Sequence, residues 1–356
     1  MVMTSTRNLM NLTEIRPFLL YDFKSETELV QEIEKLSQRF TTERAKLDQY
    51  TQSEKSVSAY TCFYALTNFM KLKVCLDKIG LSDLTRFELI DIGAGPGTFT
   101  LAALSLNSDQ QIAMVETSGL MRDQAQKLIT GLFPKSNIRF IDGLNRMPHG
   151  EKPRLGLFGH SANEMELEQI KNYISKLELD YVLFIEPGTR DFFEKMVPLR
   201  EWLMANEFQV QFPCPAQSQC PVQAPDWCHQ YVKVTHDPEV ERLCQLAKKD
   251  RRLLPVTLHF YAKEKSSHCD TTSYVIQRML SPLKFAQPMV VCTAGNEGKA
   301  SLRKVEVIYK GLSKSEQKNL QKLLAGDTIK LEPIKSMANG DLRAKWKFKT
   351  SPEDVF

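Results

Sequence analysis

One stretch carries residue types that bind small molecules. Leu89-Ile90-Asp91-Ile92-Gly93-Ala94-Gly95-Pro96-Gly97-Thr98 runs from an apolar, strand-like segment into a G-x-G-x-G loop, followed by the helix-like Phe99–Leu106. Glycines there let the backbone approach a ligand closely, and a helix start offers free N–H donors. The spacing is not the G-x-G-x-x-G of nicotinamide binding, and no Lys-Ser/Thr follows to make a phosphate-cradling P-loop. Glu116 ends the next apolar run, 19 residues after Gly97. A carboxylate at that place can accept both hydroxyls of a ribose. Asp142 ends the third run. Each acid also has a plainer reading, as a strand-end cap or solvated turn.

Groups for acid–base or metal chemistry form two further sets. The fourth apolar run ends in Gly159-His160-Ser161-Ala162-Asn163-Glu164. His160 has the natural pKa of a general base, but a strand-end histidine bonded to backbone is the commoner use. Glu164 reads equally as an acid in a first helical turn. The catalytic group is therefore left unassigned, with His160 and Glu164 as weak candidates. Cys214, Cys220 and Cys228 fall at steps of 6 and 8 residues, among Pro213, Pro215, Pro221 and Pro225. Prolines stiffen such a loop for a closed metal site, which needs a fourth ligand. The adjacent His229 would need unusual geometry to share a metal with Cys228. With neither C-x-x-C nor a ferredoxin run present, the spacing by itself fits zinc slightly better than a cluster, and three free thiols remain the plain alternative.

These residues need a scaffold, and the apolar pattern supplies one. Residues ~20–85 read as helical, with Ser53–Ser58 as a connector and a helix starting at Ala59. Short apolar runs follow at Phe87–Ile92, Gln111–Glu116, Ile138–Asp142, Leu155–His160 and Tyr181–Glu186, separated by helix-like segments. That alternation makes an α/β fold with a parallel sheet covered on both faces. Phe208–Phe212 and Val256–Lys263 add two strands around the cysteine-rich insertion 213–230. The expected organisation is a helical region 1–85, an α/β domain 86–268, and a small β-rich domain 269–356 with one helix at Ser313–Leu324.

The 356 residues are 42% hydrophobic and 25% charged, which excludes collagen-like, disordered and disulfide-scaffold classes. No apolar run reaches the length of a membrane span. The first twenty residues lack the features of a secretory signal, so the 8 cysteines read as thiols or metal ligands of a reducing compartment. The net charge of +4 is uneven: from Ser301 to Phe356 there are 12 basic and 7 acidic residues, a local net of +5. Lys345-Trp346-Lys347-Phe348-Lys349 reads by itself as an edge strand with solvated lysines, and it is also suited to phosphates.

The glycine loop with Asp91, Gly93, Gly95 and Gly97, then Glu116 and Asp142, resembles the S-adenosylmethionine site of class I (Rossmann-like) methyltransferases. In that family the third-strand acid sits near the adenine amine. The Asn/Asp-Pro-Pro-aromatic motif of nucleobase amino-methyltransferases and the Pro-Cys nucleophile of cytosine-carbon methylation are absent. A more specific resemblance covers residues ~55–310. It is carried by the glycine loop, Phe184-Ile185-Glu186-Pro187-Gly188-Thr189-Arg190, the Cys-Pro…Cys-Pro…Asp-Trp-Cys-His run, and Arg278…Pro282…Val290-Val291-Cys292-Thr293. Together these are similar to the Rsm22 family of ribosomal small-subunit methyltransferase-like proteins.

The resemblance implies a [4Fe–4S] cluster on Cys214, Cys220, Cys228 and Cys292, with Cys62, Cys75, Cys244 and Cys269 as ordinary thiols. It also implies a place in small-subunit maturation, with rRNA as partner and methyl acceptor. Ala216 stands where the family often has a histidine, and the strand-four loop differs in detail. Two rivals stand beside this reading: an assembly protein that binds the cofactor without transfer, and a zinc-containing methyltransferase of a small molecule. A monomer without membrane contact is expected. The absence of an Arg-rich leader favours a bacterial cytoplasm, with the mitochondrial matrix second.

Overall fold

A computed structural model describes residues 9–41, 51–141, 143, 150–264, 273–295, 298–337 and 340–347. Asp142, Cys269, Phe348, Lys349 and the expected boundary at 268/269 lie outside the described residues. The chain divides into two units, residues 1–179 with 232–254 and residues 180–231 with 255–356.

In the first unit, helices α1 (Leu12–Ile15), α2 (Glu26–Thr41), α3 (Glu54–Tyr60) and α4 (Leu66–Ile79) precede the sheet, and a π turn at Thr61–Ala65 joins the last two. The helix expected from Ala59 begins five residues earlier. Ser53 caps it by accepting from the Ser56 N–H at 3.4 Å, and Ser56, Val57, Ser58 and Ala59 are all buried. A serine-rich stretch with poor helix propensity is thus helical because its packing decides. Strands β1 (Glu88–Ile92), β2 (Ile112–Val115), β3 (Ile138–Phe140) and β4 (Arg154–Gly159) pair in parallel, in the order β3-β2-β1-β4. Every residue of β1 and β2 is buried, as a parallel strand covered on both faces requires. Helices α5 (Thr98–Leu106), α6 (Gly119–Leu132) and α7 (Leu167–Lys176) follow β1, β2 and β4. At the opposite end of β4, fully buried Arg154 is neutralised by Glu88, its Nε 3.2 Å from Oε2, and its Nη1 donates to the Leu177 carbonyl at 2.9 Å.

The second unit opens with β5 (Tyr181–Pro187), α8 (Arg190–Ala205) and β6 (Gln209–Phe212). The chain leaves this unit within β7 (Gln230–Lys233), adds α9 (Pro238–Leu246) to the first unit, and returns within β8 (Leu253–Ala262). Both β5 and β6 pair antiparallel with β8. The runs β3-β2-β1-β4 and β5-β8-β6, with an antiparallel strand in the second, are those of a class I methyltransferase sheet; the fold is of this Rossmann-like class. Strands β9 (Ser273–Met279), β10 (Ala286–Ala294), β11 (Ala300–Ile308), β12 (Thr328–Ser336) and β13 (Leu342–Trp346) close a barrel in the order β10-β11-β13-β12-β9. Helix α10 (Lys314–Gln321) lies between β11 and β12 in sequence and opens with a capping box of Ser313 and Glu316. Alternate residues such as Met289, Val291, Val305, Val307 and Leu331 fill the barrel.

Candidate functional site

At the carboxyl ends of β1, β2 and β4 the first unit holds a cavity of about 290 Å³. This is where open α/β sheets bind ligands. Gly93, Gly95, Glu116, His160 and Glu164 all line it. The glycine loop has left-handed backbone at Gly93 (φ 71°), Gly95 (φ 55°) and Gly97 (φ 83°). A Cβ on Gly93 would meet the Ser161 Cβ at 2.5 Å, whereas one on Gly95 would project into open space. Glu116 is fixed by two backbone donors: Gly95 N–H to Oε2 at 2.8 Å and Ser118 N–H to Oε1 at 2.7 Å. The second-strand acid is thereby tied to the first-strand loop.

Asp91 and Gly97 lie outside the cavity wall. The buried carboxylate of Asp91 accepts from the Thr100 N–H (3.1 Å) and hydroxyl (2.7 Å), locking the first turn of α5 beneath the loop. Burial pushes its pKa up to about 7, against the lowering effect of the Thr100 bonds.

His160 adopts left-handed backbone (φ 59°), and its Nε2 is 2.6 Å from the Nζ of fully buried Lys71. Burial, then the charges of Lys71 and Arg251, hold the imidazole well below its usual pKa. A neutral ring that accepts from Lys71 has its basic nitrogen engaged, and the partner seen there is a side-chain cation where the sequence suggested backbone. Glu164 sits in a turn three residues before α7, not in a helical first turn, and its N–H donates to the Ser161 carbonyl at 3.0 Å.

Three polar residues of this region escaped the sequence reading. Asn68 lines the cavity and accepts from Arg251 Nη2 at 3.0 Å, and Arg251 also lies over the Tyr64 ring at 5.8 Å. Lys71 is the third. The available signal was Asn68 and Lys71 falling with Leu72 and Cys75 on one apolar helical stripe, where a lysine is out of place.

The second unit gathers Cys214, Cys220, Cys228 and Cys292 around one pocket, with Pro213, Pro215 and Pro221 in its wall. All four are half-buried, whereas Cys62, Cys75 and Cys244 are buried apart from them. Burial, and then the neighbouring sulfurs, push the Cys228 thiol far up and Cys292 to about 12. Among the described residues no three His, Cys, Asp or Glu side chains are grouped to hold a single metal ion.

The wall also contains Arg200, 2% exposed. Its Nη2 donates to the Ala216 carbonyl at 3.1 Å, while Nε and Nη1 have no hydrogen-bond partner. Burial opposes its charge, and Cys214, Tyr261 and Cys220 favour it. A buried guanidinium facing four thiols suits a negatively charged occupant. His229 is stacked on Trp227, with ring centroids 5.6 Å apart, and is not part of the pocket wall.

Residues 54–311 match the family described as Mitochondrial small ribosomal subunit Rsm22. The chain belongs to the Rsm22 family. No curated protein matches it significantly. Among solved structures, the magnesium protoporphyrin IX methyltransferase of Synechocystis with bound SAM is 10% identical, covering 68% of this chain and 100% of its own, at a TM-score of 0.35. The human methyltransferase 10 domain containing protein is 15% identical over 56% of this chain and 83% of its own, also at 0.35. The fold assignment of this Rsm22 family member rests on its own strand order.

Proposed function

We propose that this Rsm22 family member binds S-adenosylmethionine in the first-unit cavity and acts in maturation of the small ribosomal subunit, with rRNA as partner and methyl acceptor. The observation that carries the cofactor is the Gly95–Glu116 bond, which sets a carboxylate and a glycine loop at one wall of a nucleoside-sized cavity. Gly93, Gly95 and Glu116 would meet the cofactor. Asp91 and Gly97 would shape the loop, and Asp142 would serve the adenine. The family's description supports the ribosomal setting and the mitochondrial matrix over a bacterial cytoplasm. We propose three functional regions: helical 1–85, methyltransferase-like 86–268 and β-rich 269–356.

Cys214, Cys220, Cys228 and Cys292 would hold a [4Fe–4S] cluster. Support comes from four thiols sharing one wall with a buried cation. A cluster there would bind β10 of the barrel to the cysteine-rich insertion. The non-catalytic assembly reading is favoured by one observation: His160, the histidine of the cavity wall, already has a nitrogen engaged by Lys71.

Calorimetry with S-adenosylmethionine tests the cofactor, and incubation of small subunits with labelled cofactor separates transfer from binding alone. Label appearing in rRNA would support the enzyme. Cofactor binding without any label transferred would support the assembly protein.

A further inference from the structure

The barrel has a strand order that its sequence did not disclose. Numbered from its own first strand, it closes as 1-2-3-5-4-1: β9 pairs antiparallel with β10 and β12, β10 with β11 and β12 with β13, while β11 and β13 run parallel. Its helix falls between the third and fourth strands. This is the arrangement of the OB-fold, which binds oligonucleotides on the face of its second and third strands and on the loops beside them. Fold alone assigns no function, so the side chains must decide.

Part of that face is already covered. Met289 and Val291 point into the barrel core, so Cys292 points outward, where it shares a pocket with the cysteine-rich insertion. Ser218 of the insertion accepts from the Ala300 N–H at 2.7 Å. The loop that leads into β10, residues 281–285, is exposed, whereas Ala286, Gln287 and Pro288 at the start of the strand are buried. Three of the six exposed large hydrophobic residues among the described residues lie on the barrel: Leu283 (40%), Phe285 (53%) and Ile334 (45%).

Phe285 is built into a platform. The Arg343 guanidinium lies over its ring at 5.6 Å, and Arg343 Nη2 is held by Glu306 at 2.9 Å. Lys335 is opposite Arg343 in the β12–β13 register, next to Ile334. Lys284, Lys335 and Lys345 are exposed around these apolar groups. Of the acids on or next to these strands, Glu306 is engaged by Arg343, Glu332 lies opposite Lys345, and Asp341 pairs with Lys304 at 3.1 Å. Exposed rings beside a fixed guanidinium take bases, and surrounding lysines take phosphates.

We infer that this end of the barrel is a single-stranded RNA site, with Phe285 and Arg343 as the stacking platform and Lys284, Lys335 and Lys345 as phosphate contacts. The inference rests on the reading of an RNA partner and narrows it to unpaired nucleotides at a named surface. Stacking on Phe285 requires an accessible base face, which a duplex does not offer.

The test uses the full chain and a short fluorescent RNA of mixed sequence, single-stranded or annealed, with anisotropy as the readout. Wild type should prefer the single strand. Phe285→Ala should weaken that binding by about 5- to 150-fold with little change in salt dependence, and Phe285→Tyr should restore it. Lys284→Gln, Lys335→Gln and Lys345→Gln together should flatten the plot of log affinity against log salt by about 0.7 for each phosphate no longer neutralised.

Equal affinity in wild type and Phe285→Ala, a preference for duplex, or no binding of the single strand by wild type would each overturn the inference. Cosedimentation of wild type and Phe285→Ala with small ribosomal subunits separates this from the broader reading. Subunit binding by wild type without single-strand binding sinks the barrel site alone. Wild type that binds the single strand but no subunit sinks the ribosomal reading alone.

Discussion

The indole Nε1 of Trp227 donates to the carbonyl of Gly188 at 3.2 Å, tying the Asp-Trp-Cys-His run to the Glu-Pro-Gly-Thr strand end 39 residues earlier in the chain. Gly188 has no room for a side chain, because a Cβ would lie 2.8 Å from the Pro255 carbonyl carbon and the Val256 nitrogen. Trp227 also stacks on His229. Trp227→Phe keeps an aromatic ring but removes the donor, and should cost about 0.5–1.5 kcal/mol. The shift of the urea midpoint at constant slope measures it. A variant as stable as wild type would make the bond a bystander.

The two glycines of the loop should respond differently. Gly95→Arg places its side chain in open space, so its folding cost is the left-handed backbone, about 1–2 kcal/mol. Its bulk would block the cavity and abolish S-adenosylmethionine binding in calorimetry. Gly93→Ala adds the clash with Ser161 to the same strain and should lower the melting temperature more than Gly95→Arg does. The reverse order of melting temperatures would contradict the loop geometry.

Much of this was legible beforehand, for identifiable reasons. Parallel strands buried on both faces read as unbroken apolar runs, so β1, β2 and β4 stood out, and the place of Glu116 at the end of the strand after the glycine loop followed from strand alternation. The start of α3 at Glu54 was hidden because Ser53, Ser56 and Ser58 have connector chemistry, and only tertiary burial makes them helical. Lys71, Asn68 and Arg251 were invisible as a group because their contacts join positions ~90–180 residues apart. The barrel order was hidden for the same reason: the β11–β13 pairing skips a helix and a strand, and no local pattern encodes it. Cys292 was found by resemblance, since its spacing from Cys228 says nothing about proximity.

Asp91 should leave a pH signature. Its folded pKa of about 7 lies above the ordinary 3.8, so between those values the folded chain holds a proton that the unfolded chain has released. Its contribution is therefore complete below about pH 4 and is lost as pH rises toward 7. Asp91→Asn keeps an acceptor for Thr100 but cannot ionise. Relative to this variant, wild type should lose stability steadily between pH 4 and 7, by an amount on the order of a few kcal/mol. Parallel stability curves for the two proteins over that range would show that the carboxyl is ionised throughout.

Cys292 gives the most direct test of the second pocket. It lies on the barrel, 64 residues beyond Cys228, yet shares a wall with Cys214, Cys220 and Cys228. Its thiol, pushed up to about 12 by burial and the neighbouring sulfurs, is protonated at neutral pH, so metal loading must release protons and should strengthen as pH rises. Because an assembled four-thiolate site does not exist in the unfolded chain, loading also stabilises the fold. After anaerobic reconstitution, wild type should carry iron and sulfide, absorb broadly in the visible, and melt higher than before loading. Cys292→Ser should lose most of the iron and the gain in melting temperature together, while Cys244→Ala, a buried thiol away from the pocket, should keep both. Zinc without iron in the purified protein would replace the cluster with the single-ion reading. Full iron content in Cys292→Ser would mean that the fourth ligand has been misassigned.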